Sequence, residues 1–485
     1  MEVLQRTANR GSISTGYDID NSCKFEADNT EYLERDPSSA GNRKTFTTSM
    51  WVKRTELGQA STLFGAYPTS GAGNTTVLQF GFTSDDKFQL GFQTFYVVQT
   101  NRVFRDTSAW YHIVLRIDTT QSTANDRLKL WINGVEETSF STDGRASIGL
   151  NQDTGINFTE PHRIGVLLSN SWYFSGYMAE INHIDGSAKS PTDFGEYDAD
   201  TGIWKPKAYT GSYGTNGFYL DFADASDLGD DESGNNNDFT ENNITSADQA
   251  TDTPTNNFCT LNPLHHYYNE VSRIVITEGG TKVTGAQAST LWRGVPSTFA
   301  VSKGKWYFEM ETTNQYILIG TGSADTGQTE WAELTSIASP STKAKMMYGY
   351  NGNIYGYNSS TDAWQYGFHF GFGDTDIVSV AVDLDNGHMY FRKNGAAWTD
   401  SGDPASGSTG TGAIDLPWYD TESTVFIVTV ANSGNTSLLN FGGYTAGTIS
   451  SAESDENGYG TFEYAPPSGY YALCGKNLAE YGGTA

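Results

Sequence analysis

The chain has 485 residues, 37% of them apolar and 13% aromatic, with 53 glycines, 13 prolines and a net charge of −28 from 57 acidic and 29 basic groups. That length exceeds one ordinary core and predicts two or three domains. A surface so negative repels phosphate backbones and argues against nucleic-acid binding.

No apolar run of about 18 residues is present, which argues against a membrane-spanning helix. Cys23, Cys259 and Cys474 include no CxxC pair and exclude a disulfide-dense scaffold and a Cys-based zinc knuckle. The opening segment MEVLQRTANRGS has no apolar signal-peptide core. Cytoplasmic synthesis is expected, with any extracellular placement reached by lysis or another export route.

In chain order, Phe46 to Arg54 (FTTSMWVKR) alternates as a strand with one buried face. Thr62 to Ala66 follows, then Val77 to Phe82 and Lys87 to Phe92 around a turn at Ser84, Asp85 and Asp86. Trp110 to Ile117 (WYHIVLRI) leads into Leu128 to Gly134 (LKLWING), where Asn133-Gly134 tolerates the positive φ angles of a tight hairpin. His162 to Gly165 and Trp172 to Ile184 complete a first unit over residues 1–205. Short strands at this spacing, split by turn signals and almost free of helix-period stripes, predict an all-β sandwich or barrel.

Residues 206–264 read as an acidic connector. Between Lys207 and Arg273 there is no Lys or Arg, but there are eleven acidic residues. Phe218, Tyr219, Phe222, Phe239 and Phe258 recur through it, which a disordered tract would lack. An extended, ordered connector laid against one or both domains, and able to add a strand, is expected.

The second unit spans residues 265–485. Its strands are Trp306 to Glu311 (WYFEME), Tyr316 to Thr321, Met346 to Tyr350, Ile354 to Tyr357, Ile377 to Leu384, Met389 to Arg392, Val425 to Val430 and Leu438 to Phe441. Met389 runs into Asn394-Gly395 as Leu128 runs into Asn133-Gly134, so one architecture is expected twice. Gly469 to Leu473 follows Pro466-Pro467 near the C-terminus.

WYFEME, DIVSVAVDLDNGHMYFRKNG and LLNFGG, with Asp376 after Gly373-Asp374-Thr375, resemble a SPRY domain over most of residues 300–442. Ser379 stands where that family commonly has glycine. FTTSMWVKR, WYHIVLRID, LKLWINGVE and Phe174 to Ile181 resemble the laminin-G/pentraxin-like branch of concanavalin A-like sandwiches. DESGNNNDF is similar to a phrase found beside such domains. The resemblances imply two concanavalin A-like antiparallel β-sandwiches (jelly rolls) in tandem. With the junction Thr253 to Leu264 (TPTNNFCTLNPL) and the C-terminal APPSGYYALCGKNL, the whole chain resembles large virion proteins of marine tailed bacteriophages.

Glucan hydrolases occur among concanavalin A-like folds and need two carboxylates about 5 Å apart. Glu309 and Glu311 are the nearest candidates, but no third acid follows, and they read as solvent-facing strand positions. No catalytic residue is assigned. His265-His266 lacks metal-ligand spacing, and no G-x-S-x-G elbow supports a serine nucleophile. Asp224, Asp227, Asp230, Asp231 and Glu232 form a calcium candidate, although turn-forming acids fit their spacing better. No metal ligand is assigned and no cofactor is expected.

Tyr96, Trp172, Tyr173, Trp204, Trp331, Trp364, Trp398 and Trp418 are aromatics able to stack on sugar faces, at least half of them expected in the cores. The N-x-S/T triplets at Asn74, Asn157, Asn243, Asn358 and Asn435 carry no weight in so Asn- and Thr-rich a chain.

The combined reading is a non-enzymatic virion structural protein, a tail-fibre or tail-tip adhesin contacting host-surface glycans. The alternative is a capsid decoration or head-appendage protein binding other virion subunits, and a secreted glycan hydrolase is disfavoured. Sheet edges need cover and multivalency strengthens weak contacts, so a homo-oligomer is expected, a trimer being one form.

Overall fold

A computed structural model of the chain describes residues 16–66, 78–92, 95–167, 171–264, 274–285, 292–324, 343–356, 369–431 and 434–482. The chain forms two compact units that part between Thr255 and Asn256. Among the described residues no helix is long and apolar enough to cross a membrane.

The strands of the first unit are β1 (Ser22–Phe25), β2 (Tyr32–Arg35), β3 (Thr45–Arg54), β4 (Ser61–Ala66), β5 (Leu78–Phe82), β6 (Lys87–Phe92), β7 (Phe95–Val103), β8 (Trp110–Asp118), β9 (Leu128–Ile132), β10 (Val135–Glu136), β11 (Phe140–Asp143), β12 (His162–Ile164), β13 (Gly176–Asp185), β14 (Gly195–Tyr197), β15 (Trp204–Pro206), β16 (Phe218–Leu220), β17 (Thr240–Asn242) and β18 (Gln249–Ala250). One antiparallel sheet runs β10-β9-β8-β3-β13-β1-β18, with β16 also on β13. Its partner runs β11-β7-β6-β5-β4-β12-β2-β17.

Alternation in β3 sends Phe46, Met50 and Val52 into the core between the sheets. Ser49, Trp51 and Lys53 point the other way and are buried as well. The cover over that outer face includes chain that the sequence suggested was a connector. Residues 206–255 belong to this sandwich: β16, β17 and β18 extend its sheets, and Phe218, Leu220, Phe222, Leu228 and Phe239 share its core. The acids between them occupy turns, which dilutes the apolar signal.

Buried ion pairs fasten this segment. Lys53 Nζ meets Asp252 Oδ2 at 2.6 Å with neither side chain above 1% exposure. Trp110 Nε1 donates to Asp252 Oδ1 at 3.0 Å, and Lys24 Nζ reaches Asp248 at 2.7 Å and Glu31 at 2.9 Å.

In the second unit the strands are β19 (Ile274–Thr277), β20 (Lys282–Gly285), β21 (Trp292–Val301), β22 (Lys305–Thr312), β23 (Ile317–Ser323), β24 (Ala344–Tyr348), β25 (Ile354–Gly356), β26 (Asp376–Asp383), β27 (His388–Lys393), β28 (Ile414–Asp415), β29 (Thr424–Ala431), β30 (Thr436–Asn440) and β31 (Tyr471–Ala472). They form sheets β19-β20-β30-β22-β26-β27-β28 and β21-β29-β23-β24-β25. The short β31 lies parallel on β22, while the other pairings are antiparallel. Trp306, Phe308, Met310, Val380, Val382 and Phe426 lie in the core. One helix, α1 (Gly475–Tyr481), follows β31.

The repeated Asn-Gly turn has the same geometry in both units. Asn133 and Gly134 take φ of 50° and 79°, Asn394 and Gly395 50° and 67°. The first pair joins β9 to β10 as a two-residue hairpin, whereas the second turns the chain at the end of β27, whose next partner is the more distant β28. Each asparagine closes its turn onto the preceding strand. His112 N–H donates to Asn133 Oδ1 at 2.7 Å, and Ile377 N–H to Asn394 Oδ1 at 2.8 Å. An aromatic ring covers each glycine: a Cβ on Gly134 would lie 2.4 Å from Trp204, and one on Gly395 2.7 Å from Tyr464.

Candidate ligand-binding cleft

In the first unit an open cleft of about 620 Å³ lies where four pieces of chain meet. They are residues 40–44 before β3, Asp153 between β11 and β12, Asp185-Gly186 at the end of β13, and 214–215 before β16. Asp185 organises them. Its Oδ1 accepts the Asn42 N–H at 2.7 Å and the Asn157 amide at 3.0 Å, and its Oδ2 accepts the Asn216 N–H at 2.9 Å. Burial raises its pKa, against the pull of backbone donors at Asn216, Asn42 and Thr215. A carboxylate offers about four acceptor positions, so the protein itself occupies this one.

The mouth of the cleft is different. Lys44 and Asp153 are 41% and 51% exposed and sit 3.9 Å apart. Arg43 lies 3.9 Å from the same carboxylate, while its Nε donates to Thr154 O at 2.7 Å and its guanidinium covers the Phe158 ring at 4.1 Å. Exposed pairs of this kind contribute under about 1 kcal/mol. Lys44 and Asp153 can therefore exchange each other for ligand hydroxyls.

A directed hydrogen-bond chain leads from the core to this floor. Asn157 turns its amide N–H towards Asp185, so its Oδ1 accepts from His183 Nε2 at 2.9 Å. His183 Nδ1 then accepts the Thr48 hydroxyl at 2.9 Å. His162 Nε2 accepts the Asn157 N–H at 2.9 Å, leaving Nδ1–H to donate to Glu160 O at 2.8 Å. Burial holds His183 well below its ordinary pKa and His162 down at about 4. Both rings are neutral at pH 7.

Three features suggest catalysis until their partners are traced. Ser49 Oγ lies 2.8 Å from His112 Nε2. The Trp204 indole, which only donates, points its N–H at His112 Nδ1 across 2.9 Å. The His112 proton is thus on Nε2 and is donated to Ser49, the reverse of a general-base arrangement.

Glu309, expected to face solvent, is 1% exposed because the C-terminal segment covers it. It accepts from Tyr307 OH at 2.6 Å and from the Glu463 and Tyr464 N–H groups, each at 2.9 Å. Glu311 accepts the Thr448 N–H at 2.6 Å. Glu180, at φ 51° beside a β-bulge, accepts the Tyr17 and Tyr219 hydroxyls at 3.0 and 2.6 Å, and burial pushes it up to about 7.

The acidic cluster organises turns. Asp231 accepts the Tyr219 and Ser233 N–H groups on Oδ1, and the Asn237 N–H and Ser233 hydroxyl on Oδ2. Asp224 accepts from Ser226 N–H and Oγ, and Asp227 from Gly229 N–H. Among the described residues no group of three or more His, Cys, Asp or Glu side chains is placed to hold a metal ion. Asp230 and Glu232, the other members of the calcium candidate, therefore complete no ligand set.

Trp418 is a core residue and Trp204 is buried on His112. Trp398 lies beneath the Arg392 guanidinium at 4.7 Å, and Trp172 and Tyr173 are half-buried. Trp331, Trp364, His265, His266, Asn74, Asn358 and the Tyr96 side chain lie outside the described residues. Asn157 and Asn435 are buried, and the Asn243 amide donates to Asn29 O and Thr30 Oγ1.

Residues 27–192 match the family model of the concanavalin A-like lectin/glucanases superfamily. The first unit carries a laminin-G, concanavalin A-like domain. Three of the four cleft segments, at 40–44, 153 and 185–186, fall within the matched residues of this concanavalin A-like domain.

Similar solved structures include the SPRY domain of human HERC1, at 12% identity over 37% of this chain and 96% of that one, with a TM-score of 0.28. The TRIM65 PSpry domain is 12% identical over 38% and 91%, with a TM-score of 0.26. A human SPRY domain is 14% identical over 34% and 94%, with a TM-score of 0.24. No curated protein matches the chain.

Proposed function

We propose that the protein is a non-catalytic, glycan-binding component of a virion surface, acting as a tail-fibre or tail-tip adhesin. The cleft carries the binding part of this reading. It is open and polar, and its floor is tied down by Asp185 while Lys44 and Asp153 remain available at the mouth. Paired donors and acceptors of that kind suit sugar hydroxyls. The lectin and glucanase superfamily matched by residues 27–192 supports carbohydrate as the ligand class.

The partners of Glu180, Glu309 and Asp185, together with the His112 tautomer, favour binding without cleavage. Virion placement rests on the sequence resemblance at Thr253 to Leu264 and at the C-terminus. A homo-oligomer, a trimer being one form, would multiply weak glycan contacts.

Two measurements test this reading. Incubation with algal and bacterial polysaccharides is expected to retain the protein without releasing reducing ends; release that disappears in Glu309→Gln would reinstate a hydrolase. Imaging of intact particles is expected to place the protein on the tail. Density on the capsid lattice would point to a decoration protein bound to other virion subunits.

A further inference from the structure

We propose a second carbohydrate-contact surface, on the other sandwich: a tyrosine platform formed by Tyr316 and Tyr350 that takes the apolar face of a neutral pyranose. It is independent of the cleft. Tyr316 and Tyr350 are 37% and 57% exposed, in a unit whose other aromatics largely fill its cores. Their ring planes lie within 13° of each other, with centroids 5.8 Å apart. Tyr348 lies 6.0 Å from Tyr350 and meets Tyr355 edge-on at 5.6 Å, so the exposed pair rests on further aromatic rings.

The backbone beneath is fixed before any ligand arrives. Gly349 N–H donates to Ile317 O at 3.0 Å, Phe372 N–H to Gly349 O at 2.8 Å and Gly352 N–H to Tyr348 O at 2.8 Å. Asn314 Oδ1 accepts the Tyr316 N–H at 2.9 Å, and Asn351 Oδ1 accepts the Asn353 N–H at 3.0 Å. Both amide NH₂ groups are thereby directed away from these turns. Neither they nor the Tyr316 and Tyr350 hydroxyls have a hydrogen-bond partner among the described residues.

Charge selects the ligand class. Residues 312–317 (TTNQYI) and 346–356 (MMYGYNGNIYG) contain no charged side chain, in a chain of net charge −28. Two aromatic faces flanked by free amides and hydroxyls match the C–H face and hydroxyl rim of a neutral sugar. An anionic or cationic partner finds no counter-charge within these two segments.

Saturation-transfer NMR on the full chain, with the methyl glycosides of glucose, mannose and galactose as probes, tests the platform. Irradiation of the aromatic protons is expected to transfer to pyranose ring protons of at least one glycoside. Tyr316→Ala or Tyr350→Ala is expected to weaken that binding about fivefold each, while Tyr→Phe at either position preserves the stacking. The Lys44→Ala/Asp153→Ala variant should leave this component unchanged, which separates the platform from the cleft.

Melting curves matching the wild type would show that the variants fold. Equal transfer in the Tyr316→Ala/Tyr350→Ala double variant, or no transfer from the wild type to any of the three probes, would overturn the proposal. So would a Tyr316→Ala/Tyr350→Ala variant that changed only oligomer size in light scattering, since the rings would then be a self-association surface.

Discussion

Asn157 donates its side-chain amide to Asp185 Oδ1 at 3.0 Å, and through this bond the core of the first sandwich reaches the floor of its cleft. On the core side Asn157 accepts the proton of His183, whose ring packs against Phe46, Phe64 and Phe218. On the cleft side Asp185 gathers the loops at Asn42 and Asn216. The shape of the cleft therefore depends on a neutral buried histidine and a saturated carboxylate.

Asp185→Ala strands the donors at Asn42, Asn157 and Asn216. Charge-assisted hydrogen bonds and orphaned buried donors set the expected loss at about 2–4 kcal/mol. Urea unfolding measures it. A midpoint unchanged from the wild type would show that Asp185 does not hold the loops together.

Stability should depend on pH with two opposing limbs. His112 and His162 are held by burial at about 3 and 4, against an ordinary 6.5. The unfolded chain binds their protons first, so their contribution is complete above pH 6.5 and is lost as pH falls towards 4. Glu180 is pushed by burial from 4.5 up to about 7, so its contribution is complete below pH 4.5 and is lost as pH rises to 7. Burial likewise pushes Glu31 up to about 7. Glu180→Gln, which keeps an acceptor for Tyr17 and Tyr219, should therefore remove only the Glu180 share of the second limb, on the order of 3 kcal/mol between pH 4.5 and 7. Melting temperatures across that range would refute the assignment if variant and wild type fell in parallel.

Local signals made much of the fold legible. The strand ends and the Asn133-Gly134 and Asn394-Gly395 turns are set by period-two alternation and by the φ each turn demands. Non-local cover was not legible. Glu309 alternates as an exposed residue would, yet residues 463 and 464, more than 150 positions away, bury it. Residues 206–255 show few apolar positions because Asp231 and its neighbours shape turns, while Phe218 and Phe239 between them reach the core.

The cleft was missed because it joins Asn42, Asp153, Asp185 and Thr215, none in a motif. Asn157 showed only as a glycosylation triplet. For Tyr316 and Tyr350 the available signal was the uncharged run of Tyr, Asn and Gly around them.

The inclusion of residues 206–255 in the first sandwich has its own test. Asp252→Ala removes the buried carboxylate that meets Lys53 Nζ, itself at 0% exposure, and also removes the acceptor of Trp110. Breaking one side of a buried pair costs about 3–5 kcal/mol, whereas replacing both by apolar groups is often neutral. Lys53→Met/Asp252→Leu should therefore recover most of the loss in thermal unfolding. A harmless Asp252→Ala would mean that the pair does not secure the segment.

The most direct test of glycan binding at the cleft is calorimetric titration of the intact chain with a soluble polysaccharide that retains it. It compares the wild type with Lys44→Ala/Asp153→Ala. Both residues are exposed, so the variant should melt as the wild type does and bind at least about tenfold more weakly, a loss of about 1.4 kcal/mol. Equal affinity in the two proteins would contradict the account and leave the cleft without a role in carbohydrate recognition.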